Sequence, residues 1–354
     1  MKFKIQHWFL LAALSLIQTG CLLTYLVKSG RGQYEILSER QPIEKALASD
    51  KLSDETKRKL KLAVEAREFS VSDLGLKPTN NYKTYVELNR PFVSWVVIAS
   101  PRDKVESYIW KYPIVGRLPY KGFFKLKDAE KEAKKFDSSK YDVHVRGVTA
   151  YSTLGWFNDP ILSSMLRGDD SDLVNLIIHE SVHATLFIKS HADFNERLAT
   201  FLGDSGTELF YKKKEGEKSP TLLAIENENH DAKLFSEFVS IEVKKLNEWY
   251  ENEKKAQSTV DESRRQARLN EIKLRFQKEV KKKMKTKKYD KFDSMKLNNA
   301  VLASIHTYVY DLSDFRSLLL TLKGDYKEMI KFCKSLEGEK NPAQKLKEFL
   351  RQSN

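Results

Sequence analysis

The sequence predicts an α+β fold that is predominantly helical, with a small sheet packed on one buried helix and an all-helical second half. Three observations predict it. From Asp172 onward nearly every segment has helical periodicity, including a long charged stretch from Ala232 to about Lys288. Ahead of it, two runs have strand character: Phe92 to Ala99, apolar and β-branched between Pro91 and Pro101, and Tyr141 to Val148, with Val143 and Val145 alternating with polar neighbours. Finally, a helix over roughly Asp172 to Ile188 is apolar on nearly every side, through Leu173, Val174, Leu176, Ile177, Ile178, Val182, Leu186, Phe187 and Ile188, and belongs in the interior.

In chain order, Met1 to Gly20 carries Lys2 and Lys4, an apolar run from Trp8 to Ile17 and then Gly20-Cys21, the pattern of a lipoprotein signal with Cys21 acylated after cleavage. An uncleaved anchor over Trp8 to Val27 is the rival, long enough to span a bilayer once. Either tethers the body to a membrane, outside the cytoplasm, in the cell envelope. A tether segment over 21–50 leads to a helix from Asp54 to Phe69, closed by Leu74-Gly75 and the turn-prone Lys77 to Asn81. Lys127 to Phe136 reads as helix between the two strands. The division expected is 1–20 signal or anchor, 21–50 tether, 51–215 metal-site domain and 216–354 helical domain.

With two cysteines in 354 residues, and Cys21 assigned to lipid, Cys333 stands alone and a disulfide framework is excluded. Lys plus Arg outnumber Asp plus Glu by 62 to 49, much of the excess lying in Lys281-Lys282-Lys283, Lys285, Lys287 and Lys288. That run reads first as a solvated helix face. No nucleic-acid module accompanies it and the export signal argues against such a partner; anionic lipid headgroups are the better match.

The chemistry lies in His179-Glu180-Ser181-Val182-His183. Two His four apart stand on one helix face, so their imidazoles converge on one metal ion, and Glu180 turns partly to the same side as a base. A zinc ion with three protein ligands keeps one position for water and lowers that water's pKa to about 7. Burying two imidazoles and a carboxylate unpartnered would cost several kcal/mol, which a metal relieves. The third ligand has three candidates. His191 misfits the three-His spacing, whose required positions hold Leu186 and Lys189. Asp193 opens an Asp-x-x-Glu pattern, the sign of an N-cap with Glu196 as capping-box partner. Glu196 as ligand is favoured by its own stripe, Ala199, Thr200 and Gly203, small enough for its helix to approach the first.

The stretch Ala150 to Pro160, the His179 motif and Phe194-Asn195-Glu196 together resemble the bacterial putative aminopeptidase family, predicted zinc peptidases. Gly32-Gln33, Arg40 to Ile43, Ala66 to Phe69, Leu74 to Leu76, Pro113 to Gly116, Tyr120 to Phe124 and Asn298 to Ala300 extend the likeness over about residues 20 to 320. The resemblance implies a zincin-like fold with His179, His183 and Glu196 as Zn2+ ligands, Glu180 as general base and a peptide as substrate. The chain departs from the family pattern in having no cysteine between Tyr112 and Leu118. It also has Thr200 where an Asp often orients a ligand His, leaving Asp204 as the nearest substitute.

In zincin-like peptidases the substrate adds to an edge strand beside the metal helix; Ala150 to Leu154 is the candidate here. Tyr151 then becomes the catalytic donor to the carbonyl oxyanion, with Tyr308, His230 and His306 as alternatives. An aminopeptidase also needs an acid for the substrate's α-amine, for which Glu208, Asp159 and Asp204 are candidates. The leading expectation is a membrane-tethered zinc metallopeptidase, and the rival a non-catalytic envelope scaffold whose zinc staples two helices.

Overall fold

The computed structural model describes residues 23–112, 116–153, 157–257, 259–307 and 311–353. The expected lipidation site Cys21, the expected signal or anchor ahead of it, Leu154 and Tyr308 lie outside these residues. Helices dominate, as α1 (23–38), α2 (Ile43–Leu47), α3 (Asp54–Ser72), α4 (Leu126–Ala133), α5 (Asp170–Thr185), α6 (Ala192–Glu215), α7 (Pro220–Gln257), α8 (Glu262–Arg275), α9 (Asn299–His306), α10 (Ser313–Thr321), α11 (Tyr326–Ser335) and α12 (Pro342–Ser353). The strands are short: β1 (Gln41–Pro42), β2 (Thr84–Val86), β3 (Ser94–Pro101), β4 (Trp110–Tyr112), β5 (Gly116–Leu118), β6 (Lys121–Phe123), β7 (Tyr141–Val148) and β8 (Ile161–Leu162). No described helix is long and apolar enough to cross a membrane.

Sequence logic is visible in each element that positions the site. Ser53 caps α3, its Oγ accepting from the Thr56 N–H at 3.1 Å, and Leu60, Ala63, Ala66 and Phe69 form the buried face. Arg58 on that helix grips Asp170 at the start of α5 with two hydrogen bonds of 2.5 and 2.8 Å. α5 then packs on α3 and α6, burying Leu173, Val174, Ile177, Ile178 and Val182 as its all-round apolar pattern requires.

The larger sheet, β6–β3–β7, is antiparallel, with Val97 opposite Val145 and Ser94 opposite Val148. Period-2 alternation sends Val97 and Ala99 toward α4, and Val96 and Ile98 toward Ala300 on α9. This corrects the expectation that these strands back the helix carrying His179 and His183: both faces of β3 are already covered, by α4 and α9, and α5 packs mainly on α3 and α6. The strands sharing a core with α5 are those of the β1–β2–β8 sheet, through Tyr85, Val86, Ile161 and Leu162. That core also takes in Phe315, Leu318, Met329, Ile330, Cys333 and Leu346 from α10 to α12.

The long charged stretch from Ala232 to about Lys288 is helical as expected, but in two helices, the end of α7 and α8. Asp261 restarts the chain as an N-cap, its carboxylate accepting from the Arg264 N–H at 2.9 Å, and α8 gives way to a π turn at Phe276–Val280 and a 3-10 turn at Lys281–Lys283. The basic run is therefore not a helix face. Lys281 bonds to Asp293 at 2.9 Å, Lys288 bridges Asp172 and Glu228 at 3.2 and 2.8 Å, and the Lys285 and Thr286 N–H groups bond to the buried Asp231.

Asn298 and Asn299 have separate duties. Asn298 caps α9, accepting from Val301 N–H at 2.8 Å. Asn299 joins a buried network with Asp142, Tyr250 and Arg265, in which the guanidinium is ion-paired to Asp142 and also donates to the Arg102 carbonyl at 2.9 Å. Every buried charge there is partnered, and the network ties β7 to α8 and α9.

Candidate metal centre

α5 presents His179 and His183 one turn apart, with their Nε2 atoms 3.2 Å from each other. α6 brings Glu196 across the seam: Oε2 lies 3.7 Å from His179 Nε2 and Oε1 lies 3.5 Å from His183 Nε2. Among the described residues this is the one group of three metal-ligating side chains whose donor atoms all lie within 4.8 Å of one another. Around a zinc ion with arms of about 2.0–2.2 Å, tetrahedral ligand atoms sit roughly 3.3–3.6 Å apart, so two imidazoles and a carboxylate at these spacings fit that ion.

Two features of α6 make the approach possible. Gly203 meets α5 so closely that a Cβ there would stand 2.9 Å from Asn175 Oδ1, and at Gly206 a Cβ would be 2.9 Å from Leu74 and 3.3 Å from Ile178. The other feature is the connection. Asn195 Oδ1 accepts from the Ile188 N–H and its Nδ2 donates to the Ile188 carbonyl, both at 2.9 Å, which clamps the turn directly ahead of Glu196. Sequence reasoning missed Asn195; its polarity on a buried helix turn was the available signal.

Glu196 is not a capping residue. α6 begins at Ala192, so Asp193 already lies inside its first turn, and the N-cap His191 makes no side-chain cap. Neither His191 nor Asp193 joins the ligand group.

Burial grades across the site. The His183 side chain is 5 % exposed, His179 21 % and Glu196 40 %, so the triangle opens on the Glu196 side. Burial works against the Glu196 charge, yet hydrogen bonds to His179 and His183 bring its pKa down to about 2. Burial also disfavours the charged His179, but the Glu196 hydrogen bond and the Glu180 and Glu196 charges raise it. Glu180 is pushed up by burial first, with Glu196 and Asp159 adding to it against the two His. Its Oε2 and the Nδ1 of His183 are buried with no hydrogen-bond partner among the described residues.

Other expected residues stand apart. The segment Ala150 to Thr153 pairs with no strand; Thr153 instead donates its N–H and hydroxyl to Asp159 at 3.0 and 2.7 Å, which turns the chain away from a ladder. The Tyr151 hydroxyl donates to Gln33 at 2.5 Å, and its ring packs edge-on against Phe124. Asp204 accepts from Asn175 at 2.8 Å and makes no hydrogen bond to a ligand His. Glu208 pairs with Asn229, His230 with Asp231, and His306 is exposed at the end of α9. Further up the α5–α6 seam, Asp172, Asn175, Asp204, Thr207, Glu228 and Lys288 line a cavity of about 160 Å³ that no ligand residue borders.

Helix pair and donor triangle together define an α+β protein, mostly helical, with a candidate three-donor metal site built between two antiparallel helices. The putative aminopeptidase family model matches residues 24–349, and the chain belongs to that family. No curated protein and no solved structure matches it.

Proposed function

We propose that this protein is a zinc-dependent peptidase of the zincin-like type, acting at peptide N-termini and held at the membrane through Cys21 lipidation or an uncleaved N-terminal anchor. The observation that carries the reading is the spacing of the three donor atoms, close to the edges of a tetrahedron around zinc, beside a buried carboxylate with an unpartnered oxygen. When bound, zinc supplies Lewis acidity, polarising a peptide carbonyl and acidifying water.

The chain's own residues do the rest. His179, His183 and Glu196 hold the ion, and the exposed side of the triangle leaves room for water and substrate. Glu180 takes the proton from water as its oxygen bonds to the carbonyl carbon, then delivers that proton to the nitrogen as the C–N bond breaks. Three donors and an open side support catalysis over a structural staple, which closes its metal with four protein ligands.

Metal content of the full-length protein and of Glu196→Ala, measured side by side by mass spectrometry, tests the site. About one zinc per chain, sharply weakened in the variant, is expected. Absence of metal after zinc reconstitution would sink the proposal. Comparing unblocked with N-acetylated peptides then tests action at N-termini.

A further inference from the structure

Resting on the membrane tether in the reading above, we infer that the outward face of α1 lies flat in the headgroup region of the bilayer, as a second contact between the body and the membrane. α1 has apolar groups on two opposite sides, and the described residues cover one of them. At about 100° per residue, Tyr25, Ser29, Gly32, Gln33 and Ile36 share the inner side. There Ile36 is buried and a Cβ at Gly32 would collide with the Phe124 ring. Leu23, Val27, Gly30 and Tyr34 fall together on the opposite side, within roughly 60° of arc. Leu23 and Val27 are 63 % exposed and Tyr34 71 %, and a Cβ at Gly30 would meet nothing within 4 Å. An exposed apolar stripe rimmed by polar groups marks an interaction surface.

Contacts on the inner side fix how α1 sits on the body. The Tyr25 ring packs against Phe123 and Tyr112, with centroids 5.5 and 6.2 Å away, and Lys121 Nζ lies 4.8 Å from its centre. Lys28 pairs with Asp128 at 2.6 Å, which brings the start of α4 alongside. That start, Lys125-Leu126-Lys127, is exposed at all three residues and sets another apolar side chain between two cations. Lys28 and Arg31 flank the α1 stripe itself. Their stems can lie along apolar surface while the charges reach lipid phosphates. Leucine, valine and tyrosine in one stripe, edged by cations, form the pattern of a helix lying in a membrane interface, and tyrosine is the residue suited to headgroup level.

Position in the chain commits the stripe to lipid instead of to another protein. Leu23 follows Cys21 by two residues, so either form of tether holds the first turn of α1 at the bilayer surface. Tyr34 comes eleven residues after Leu23, about 16 Å along the helix axis, and it decides the tilt. A helix rising from the membrane carries this exposed ring into water, whereas a flat one places it at the same depth as Leu23 and Val27. The lysines that the sequence offered to headgroups are engaged within the body: Lys281 pairs with Asp293, and Lys288 with Asp172 and Glu228.

The test places the photoreactive residue benzoylphenylalanine at Val27, at Tyr34 and, as a control, at exposed Lys347 on α12, in the full-length protein reconstituted into vesicles of phosphatidylglycerol and phosphatidylcholine. Leu23 is left out because it lies close to lipid in any orientation. After illumination, mass spectrometry should find phospholipid adducts at Val27 and Tyr34 in comparable yield, about tenfold above Lys347. In detergent, V27E/Y34E should keep the wild-type thermal midpoint, because both side chains are exposed. Adducts at Val27 with none at Tyr34 mean that α1 rises from the bilayer, which overturns the inference and leaves the tether intact. Crosslinks from Tyr34 to a second copy of the chain make the stripe a subunit interface, and a lowered midpoint in V27E/Y34E means that the chain itself covers it; either overturns the inference. Full-length protein that stays in the soluble fraction of cells would end the tether reading and this inference with it.

Discussion

Asn195 holds Ile188 by both polar atoms of its amide, each bond 2.9 Å long, and the next residue along the chain is Glu196. Asn195 and Ile188 are both buried. The clamp therefore sets where α6 starts relative to α5, and through it the height of the Glu196 carboxylate against the two imidazoles. In Asn195→Ala the Ile188 N–H and carbonyl lose their partners, a cost on the order of 2–4 kcal/mol. Urea unfolding should show that loss, and zinc competition should show affinity weakened about 10–100-fold, as for other changes behind a ligand. Unchanged affinity would mean that the carboxylate is positioned by other contacts.

Gly203→Ala sets two effects against each other. Alanine improves helix propensity by about 1 kcal/mol. Its Cβ, however, would stand 2.9 Å from Asn175 Oδ1, and Asn175 cannot swing aside without giving up Asp204. Overpacking costs about 1–3 kcal/mol, so net destabilisation on the order of 1 kcal/mol is expected, read as a lower urea midpoint. A gain in stability would show that the helices separate freely.

Replacing Glu180 by Gln removes a buried carboxylate with an unpartnered oxygen. The metal-free variant should be as stable as the wild type or more so, and zinc content should stay the same. Hydrolysis should fall by roughly 10²–10⁴-fold if Glu180 moves the proton. A variant that binds zinc and retains activity would remove Glu180 from the chemistry.

Asp231 carries a pH dependence that does not involve the donor triangle. Burial alone would raise it, but hydrogen bonds from Lys285 and Thr286, with His230, hold it below the usual carboxylate range. A depressed folded pKa means that this stability is fully present above the unfolded value near 3.9, and is lost as pH falls through the lower folded one. The gap in unfolding free energy from urea titrations between wild type and Asp231→Asn should thus be widest near pH 7, about 1–3 kcal/mol, and close below about pH 4. A gap that stays constant down to pH 3 would show that the charge is irrelevant.

Much of the fold was legible because local pattern controls it. The Ser53-capped helix, the alternation in β3 and β7 and the all-round apolar α5 each follow from residues within a few positions of one another. Misreadings came where a short-range signal had two outcomes. Asp193 and Glu196 spell a capping box in the sequence, but α6 starts at Ala192, which puts both inside the helix and leaves no box to form. A charged run can continue as one helix or break and begin again at a new cap, and here Asp261 begins a new helix.

By itself the sequence determined that His179 and His183 share one helix face, that this helix is buried, and that Glu180 goes inside with them. Those follow from a period of 3.6 residues and from the cost of exposing apolar surface. Tertiary structure alone decided which downstream side chain closes the triangle, because that depends on α6 crossing α5 at Gly203 and Gly206 and on the Asn195 clamp between them. It alone decided that the larger sheet packs on α4 and α9 instead of on the metal helix. It also set Tyr82 in a left-handed conformation that no tyrosine adopts from local preference, held there by Asp159 and bonds more than ten residues away in the chain. Contacts between distant residues carry no periodicity, so the chain's pattern has no trace of them until it folds.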